Sequence, residues 1–532
     1  MPTGYEMELG KLEAWVVKNS SWLAMGVIAA AFAIRLAYAA CCYLNPDEAA
    51  HFASARPSSW LGAYQGSWGQ THPPLFILVL HGMLVLGRTE QILRLPSLVS
   101  GTVALWVTFA WIRRSIGEIP AMAGLGFMSF SHGAISASTE VRQYGLLLFF
   151  VCVCLYSTER ALSDHSVFWA IVQGLSLIGA LLTHYTAIIV IVSIALYIFL
   201  RRLLDDIPRR IFFTISASYA LLAILVGWLY FGHVRGVIPF GSGASMEYLR
   251  GYYYRAGSET PSGFAWRVLS ATFAYAVGAR RSGLLAMLVF LAGLVGLLLG
   301  RTKAQKLMAL LVVTPFVVGF TAEVAQVFPF AGSRHQTYLL PFLAAGIAAA
   351  FAWLHRRVAA PVLLLLAAIA PVWLLTHTAP DNDCRVQSIG DMTSAIEIVS
   401  RMIPNRATLF VDEETRNVLS YYLTRNDKSL DTWPPHWGGT LRDAEGRSGG
   451  YCFVVPRKDL WAFRPEQALE QVNESAQALG VPSGEPLWIV SVAWLEPSLA
   501  SRIPPGQNRD IWEFGRISII KAPQSQSATD RL

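Results

Sequence analysis

The sequence predicts a polytopic α-helical membrane protein with a separate C-terminal α/β domain, and three observations carry that prediction. Of its 532 residues, 54% are hydrophobic and only 14% charged, against a charged share of roughly 25% in soluble domains. Apolar stretches close to the ~20 residues that cross a bilayer core recur from residue 22 to near Leu375, with short Lys/Arg clusters between them. Beyond that point the composition becomes mixed over a length sufficient for a domain of its own. The expected division is therefore 1–376 for the membrane part and 377–532 for the α/β part.

The spans are placed by length and oriented by charge. Residues 22–42 form the first, and Arg35 lies in its outer half, where an arginine either serves function or snorkels to the headgroups. The run 75–87 is too short to cross and reads as a re-entrant or interfacial helix. Further spans are expected at 96–112, 119–138, 143–158, 167–183, 185–200, 211–231, 283–300, 306–322, 336–354 and 359–376, about eleven crossings in all. Basic short loops belong on the cytoplasmic side, which puts Arg113-Arg114, Arg201-Arg202, Arg209-Arg210, Arg301-Lys303-Lys306 and Arg356-Arg357 inside. Arg280-Arg281 then falls outside, against the trend. The same clustering assigns the net charge of +7 to topology and gives no nucleic-acid footprint. An acidic start (Glu6, Glu8, Glu13) and Arg35 within the first apolar run argue against a cleaved signal peptide.

In the last 156 positions Met392, Ile396, Val399 and Ile403 mark a helix, and Ala407–Val411 a strand with Asp412 capping a helix to Leu423. Strands follow at Tyr451–Val455 and Leu487–Val492, a helix at Pro465–Leu479, and a last strand over Trp512–Ile520. The tail after Pro523 is expected to be disordered. The six cysteines show no CxxC metal spacing; Cys384 and Cys452, alone in this domain, are left as either a disulfide or two free thiols.

Chemistry-bearing residues gather at the outer ends of the spans. Asn45-Pro46-Asp47-Glu48 turns out of the first span, and the loop 43–74 runs on past His51 to His72-Pro73-Pro74-Leu75. Arg94-Leu95-Pro96-Ser97, Glu140-Val141-Arg142-Gln143-Tyr144, His184-Tyr185 and Arg334-His335 fall on the same face. An acidic pair at a helix start is commonly a complement to the helix dipole, and interface aromatics such as Trp60, Tyr64 and Trp68 are commonly anchors. The ordered set of motifs over residues 20–376 nevertheless resembles the GT-C glycosyltransferases. More narrowly, it is similar to the protein O-mannosyltransferase and aminoarabinose-transferase group, which take a sugar from a polyprenyl-phosphate carrier.

That resemblance implies a GT-C fold and an inverting transfer at the outer face of a bacterial inner membrane, to a lipid, glycan or protein acceptor, with the α/β domain periplasmic. It implies Asp47 as the general base. Glu48 is the second catalytic candidate, orienting Asp47, holding a cation or remaining a surface acid. A leaving phosphate needs cations, for which Arg142 leads, followed by Arg35 and Arg334; His72, Glu140, His184 and Tyr185 complete the expected substrate-binding set. Arg94 is read as an interface anchor. In the family the last motif is an Arg-Tyr pair, whereas here Ser333-Arg334-His335-Gln336-Thr337-Tyr338 displaces the tyrosine.

His51, His72 and His184 suit either a metal site or a hydrogen-bonded cavity. No cofactor is required on this reading, a divalent cation is left open, and no Walker, GxGxxG or DxD motif points to a nucleotide donor. The aromatic outer loop 232–265 reads as a headgroup contact or a lid over the substrate. A transporter or flippase is the alternative function; it expects internal repeats and polar residues at mid-membrane, and the sequence shows neither clearly.

Overall fold

Ten of the eleven expected spans are helical in the computed structural model; the eleventh, 359–376, lies outside the described residues. The structure describes residues 4–70, 72–204, 207–235, 252–255, 257–326, 328, 330, 332–355, 387–404, 407–428, 431, 451–456, 462–482, 484–494, 496–503 and 509–524. Half of the outer loop 232–265 (236–251 and 256), Cys384 and the tail after Gln524 fall outside them.

The long helices are α1 (Gly4–Cys41), α5 (Glu90–Ser115), α6 (Glu118–Phe130), α7 (His132–Thr139), α8 (Tyr144–Ser163), α9 (Val167–Thr183), α10 (Ala187–Leu204), α11 (Arg209–Leu229), α12 (Pro261–Val277), α13 (Arg280–Leu298), α14 (Lys303–Val324) and α15 (Leu340–His355). Among the described residues, eight helices are long and apolar enough to cross a membrane, with α9 a shorter ninth. The chain is a multi-pass membrane protein. Three short helices, α2 (Pro46–Ala55), α3 (Trp60–Gly66) and α4 (Leu75–Met83), lie between α1 and α5. The run expected to be interfacial is α4.

Residues 119–138 are not one rod. Extended Ser131 separates α6 from α7, and the break frees carbonyls that a continuous helix would satisfy. Arg35 fills two of them: Nη1 donates to Ser129 O (2.7 Å) and Nη2 to Met128 O (3.1 Å), with a further Nη1 bond to Ala31 O of its own helix (3.2 Å). Its side chain is fully enclosed. The expectation that Arg35 meets a carrier phosphate is therefore corrected: this guanidinium staples a helix break inside the bundle.

The basic loops share one end of the bundle. Arg113 donates to Ser21 Oγ (3.0 Å), Ser20 to Glu118 (2.7 Å), Arg114 pairs with Asp164, and Lys303 donates to Leu204 O. At the opposite end sits the α/β domain, made of α16 (Ile389–Met402), β1 (Thr408–Val411), α17 (Glu413–Thr424), β2 (Cys452–Val454), α18 (Ala468–Ala478), β3 (Leu487–Val492), α19 (Leu499–Arg502), β4 (Asp510–Phe514) and β5 (Ile517–Ala522). The sheet order is β2-β1-β3-β5-β4, parallel at β2-β1-β3 and antiparallel at β3-β5-β4. The single last strand expected over 512–520 is in fact a hairpin. Gly515, at φ 56°, takes the left-handed conformation of its turn.

One apolar core joins this domain to the outer loops: Phe52, Phe76 and Leu80 pack in the same cluster as Met392, Val399, Leu409 and Val490. Polar ties reinforce it, with Tyr43 N–H donating to Gln387 O (3.1 Å) and Leu44 N–H to the Tyr422 hydroxyl (3.0 Å). Arg56 and Arg88 both pair with Asp431. Cys41, at the end of α1, is disulfide-bonded.

Candidate active site

The site begins with a helix cap. Asn45 accepts from Glu48 N–H (3.0 Å) while Glu48 Oε2 accepts from Asn45 N–H (2.9 Å), a capping box with Pro46 in the first turn. This local geometry splits the acidic pair. Glu48 turns inward, where Oε1 accepts from Arg94 Nε (2.9 Å) and Val141 N–H (2.7 Å), and Oε2 from Arg94 Nη2 (2.8 Å). Arg94 also donates to the carbonyls of Ala39, Cys42 and Tyr43. Both side chains are wholly buried. The expectations of Glu48 as a cation-holding or surface acid and of Arg94 as an interface anchor are corrected, because no atom of the pair reaches solvent or a cavity. Glu48 ties the loop of residue 47 to the loop of residue 141.

Asp47 turns the other way, its side chain a quarter exposed. Its Oδ2 is held by Arg142, and by Arg334 Nη2 at 2.9 Å. Oδ1 accepts no hydrogen bond among the described residues. Burial alone would raise this carboxyl, but Arg142, Arg334 and His51 hold it well below the usual carboxylate range. Arg142 is brought there by the turn before α8: Ser97 Oγ donates to Arg142 O (2.8 Å), and a Cβ on Gly145 would lie 2.7 Å from Ser97 O, so only glycine allows that approach. Arg142 also lies over the Tyr144 ring (5.2 Å), and its buried Nε has no partner among the described residues.

Four histidines line the same region. The rings of His51 and His72 are 6.2 Å apart, His72 and His184 5.0 Å, and His184 and His335 6.0 Å, with Tyr144 5.6 Å from His184. His51 Nδ1–H donates to Asp47 O (2.7 Å), and Nε2 meets the Gln143 side-chain amide (3.1 Å), from which the neutral ring accepts. His184 Nδ1 accepts from Thr186 N–H (3.1 Å), so the neutral ring carries its proton on Nε2. That Nε2–H is buried and without a partner among the described residues. Burial pushes His51 down to about 4, and burial with Arg142 pushes His184 down to about 3. The cluster is thus a set of neutral rings around charged arginines. Among the described residues no group of three or more ligating side chains is arranged to hold a metal ion.

Of the expected set, Asp47, Arg142, Arg334, His72 and His184 converge, and buried Glu140 lies within the field of Arg142. Tyr185 does not join them; its hydroxyl meets His233 Nδ1 (2.8 Å), whose Nε2 meets Ser67 Oγ (2.9 Å). Sequence reasoning missed Gln143 as the partner of His51, and assigned no residue of the α/β domain to the site. Glu414 opens α17 and Trp494 follows β3, and both face this centre. Burial and the charges of Asp412, Asp47 and Glu496 push Glu414 up to about 8. Nothing in the spacing of either residue announces its position.

Residues 71–231 match the family model of dolichyl-phosphate-mannose-protein mannosyltransferase. Two solved structures of ArnT from Cupriavidus metallidurans share the architecture. The one bound to undecaprenyl phosphate is 14% identical, with a TM-score of 0.54 over 96% of this chain and 98% of that one. The apo form is 13% identical, with a TM-score of 0.53 over 95% and 98%. The oligosaccharyltransferase AglB from Archaeoglobus fulgidus is more distant, 10% identical with a TM-score of 0.47 over 89% and 70%. No curated protein sequence matches. The partial family match and the shared architecture agree on one point: the chain has the GT-C fold and is similar, over residues 71–231, to the protein O-mannosyltransferase family.

Proposed function

We propose that the protein is an inverting glycosyltransferase that moves a sugar from a polyprenyl-phosphate carrier to an acceptor at the outer face of a bacterial inner membrane. The observation that carries this reading is the arrangement at Asp47: two arginines on Oδ2, and Oδ1 open. The ArnT structure holding undecaprenyl phosphate supports a lipid-phosphate carrier.

In the reaction the acceptor hydroxyl or amine attacks the anomeric carbon and passes its proton to Asp47. The bond from that carbon to the phosphate oxygen breaks on the opposite face, and the carrier phosphate leaves with the electron pair. Arg142 and Arg334 supply the charge that meets it, joined by the Nε2–H of His184 and by His72. A general base works best with a pKa near the operating pH, and the paired arginines keep Asp47 far below that. A donor phosphate competes for the same two guanidinium groups. As they turn to the phosphate, Asp47 loses its clamp and gains basicity, so the base is armed only when the donor is present. These side chains meet the leaving charge without calling for a metal ion, and a divalent cation remains an addition to be tested.

Two features support the orientation. The basic loops share the end away from the α/β domain, and the disulfide-bonded Cys41 lies near that domain, as suits an oxidising compartment. On this reading residues 43–74 and the α/β domain are periplasmic. The test is carrier-sugar-dependent labelling of an acceptor by the purified protein in vesicles, with cysteine-accessibility labelling at Ser58 for orientation. Absence of any transfer with polyprenyl-phosphate sugars would count against the function; Ser58 accessible from the same side as the Arg113-Arg114 loop would count against the orientation.

A further inference from the structure

Arg334 is held from two sides by two different parts of the chain. Nη2 donates to Asp47 Oδ2 at 2.9 Å, and the guanidinium lies 5.0 Å from the centre of the Trp494 ring. Asp47 belongs to the loop after α1, whereas Trp494 belongs to the α/β domain, two residues past β3. A guanidinium over an indole face is attracted by the ring quadrupole, the more so where water is excluded. Trp494 is 8% exposed, which meets that condition.

The tryptophan is itself anchored to the turn that presents Asp47. Its carbonyl accepts from Arg516 and from Gln387 Nε2 (3.4 Å). Gln387 O accepts in turn from Tyr43 N–H, and Ser388 bridges to Cys42. Residues 42 and 43 and the backbone of Trp494 are therefore both tied to Gln387-Ser388. The raised pKa of Glu414, which feels both Asp47 and Arg334, is a second sign that the α/β domain closes over the site.

We infer that the α/β domain completes the catalytic centre, with Trp494 as a positioning residue that holds Arg334 in register with Asp47 and with the incoming carrier phosphate. The inference rests on the glycosyl-transfer reading above and extends it: the membrane helices alone carry an incomplete donor site. The indole face fixes where the second cation stands. Without it, a long arginine side chain regains rotamer freedom and spends less time at the phosphate position.

The experiment uses the full chain in vesicles, with polyprenyl-phosphate binding and sugar transfer measured for Trp494→Phe, Trp494→Leu and Trp494→Met. Phe keeps an aromatic face; Leu and Met fill space without one. Leu and Met are expected to weaken carrier-phosphate binding by about three- to thirtyfold, the span of a partly desolvated cation–π contact, with the acceptor KM unchanged. Phe should recover most of the loss. In a double-mutant cycle, adding Trp494→Leu to Arg334→Gln should cost little beyond Arg334→Gln alone. Normal binding in both Leu and Met variants, or losses that multiply in the cycle, would overturn the inference. Asp47→Asn, run alongside, separates the two levels: if it abolishes transfer while the Trp494 variants are silent, only the positioning role fails. If Asp47→Asn transfers normally, the underlying reading fails.

Discussion

Glu48 and Arg94 form an ion pair with both side chains at 0% exposure and Nη2–Oε2 at 2.8 Å, directly beside Asp47, whose carboxylate stays open to the site. Removing one partner of such a pair strands a buried charge and typically costs ~3–5 kcal/mol. Arg94→Ala is therefore expected to lower the unfolding midpoint sharply in detergent and to reduce the yield of folded protein, with transfer lost through folding. Glu48→Gln, which keeps the shape, should be milder. An Arg94→Ala protein as stable as the parent, in a thermal unfolding scan, would contradict the structural role.

Arg142→Ala removes a charge-assisted partner for the carrier phosphate, worth ~1.5–3 kcal/mol, so polyprenyl-phosphate affinity should fall about ten- to a hundredfold. Arg142→Lys should recover only part, because a point charge does not reproduce the planar fork. Binding measured by tryptophan quenching or calorimetry checks both. Unchanged affinity in the alanine variant would move the phosphate elsewhere.

His184 gives a prediction specific to one ring nitrogen. With Nδ1 taken by Thr186 N–H, the functional proton is on Nε2. Gln, which can place an N–H near the Nε2 position, should retain more carrier binding than Asn, which cannot reach it. Equal losses in His184→Gln and His184→Asn would show that the Nε2 donor is not used.

The same histidines set the acid limit of stability. His51 and His184 are pushed down to about 4 and about 3 from an ordinary 6.5. The unfolded chain therefore takes up protons first as pH falls. Their contribution is fully favourable to folding above about 6.5 and is lost progressively below it, toward the folded values. The slope of unfolding free energy against pH between about 6 and 4 should decrease by up to two protons in a His51→Gln/His184→Gln variant. An unchanged slope in pH-dependent denaturation would show that these rings are not buried neutral.

Much of this was legible in the sequence because it is written in periodicity and local chemistry. Ten span positions, β3 at Leu487–Val492 and the Asp412 cap of α17 follow from apolar length, strand composition and a capping side chain, all of them local signals. Asp47, Arg142 and Arg334 stood out through motif order. What stayed hidden depends on where distant segments meet. Glu48 and Arg94 look like surface residues until the capping box and the Ala39–Tyr43 carbonyls enclose them. Arg35 looks like a substrate arginine until the break at Ser131 shows what it satisfies. Trp494 is one tryptophan among 17, and only the seating of the α/β domain distinguishes it. The hairpin at 510–522 was missed because Gly515 was read as part of a strand.

The central claim is that Asp47 takes the acceptor proton at an inverted anomeric centre, and one measurement addresses it directly: transfer by Asp47→Asn in reconstituted vesicles, with donor binding and product stereochemistry determined on the same preparations. The amide keeps the shape and loses the proton acceptor. The expected result is a folded variant that still binds the polyprenyl-phosphate carrier, with turnover reduced by about 10²–10⁴-fold and with the parent's product inverted. Near-parental turnover by the asparagine variant, or retention at the anomeric carbon, would contradict it.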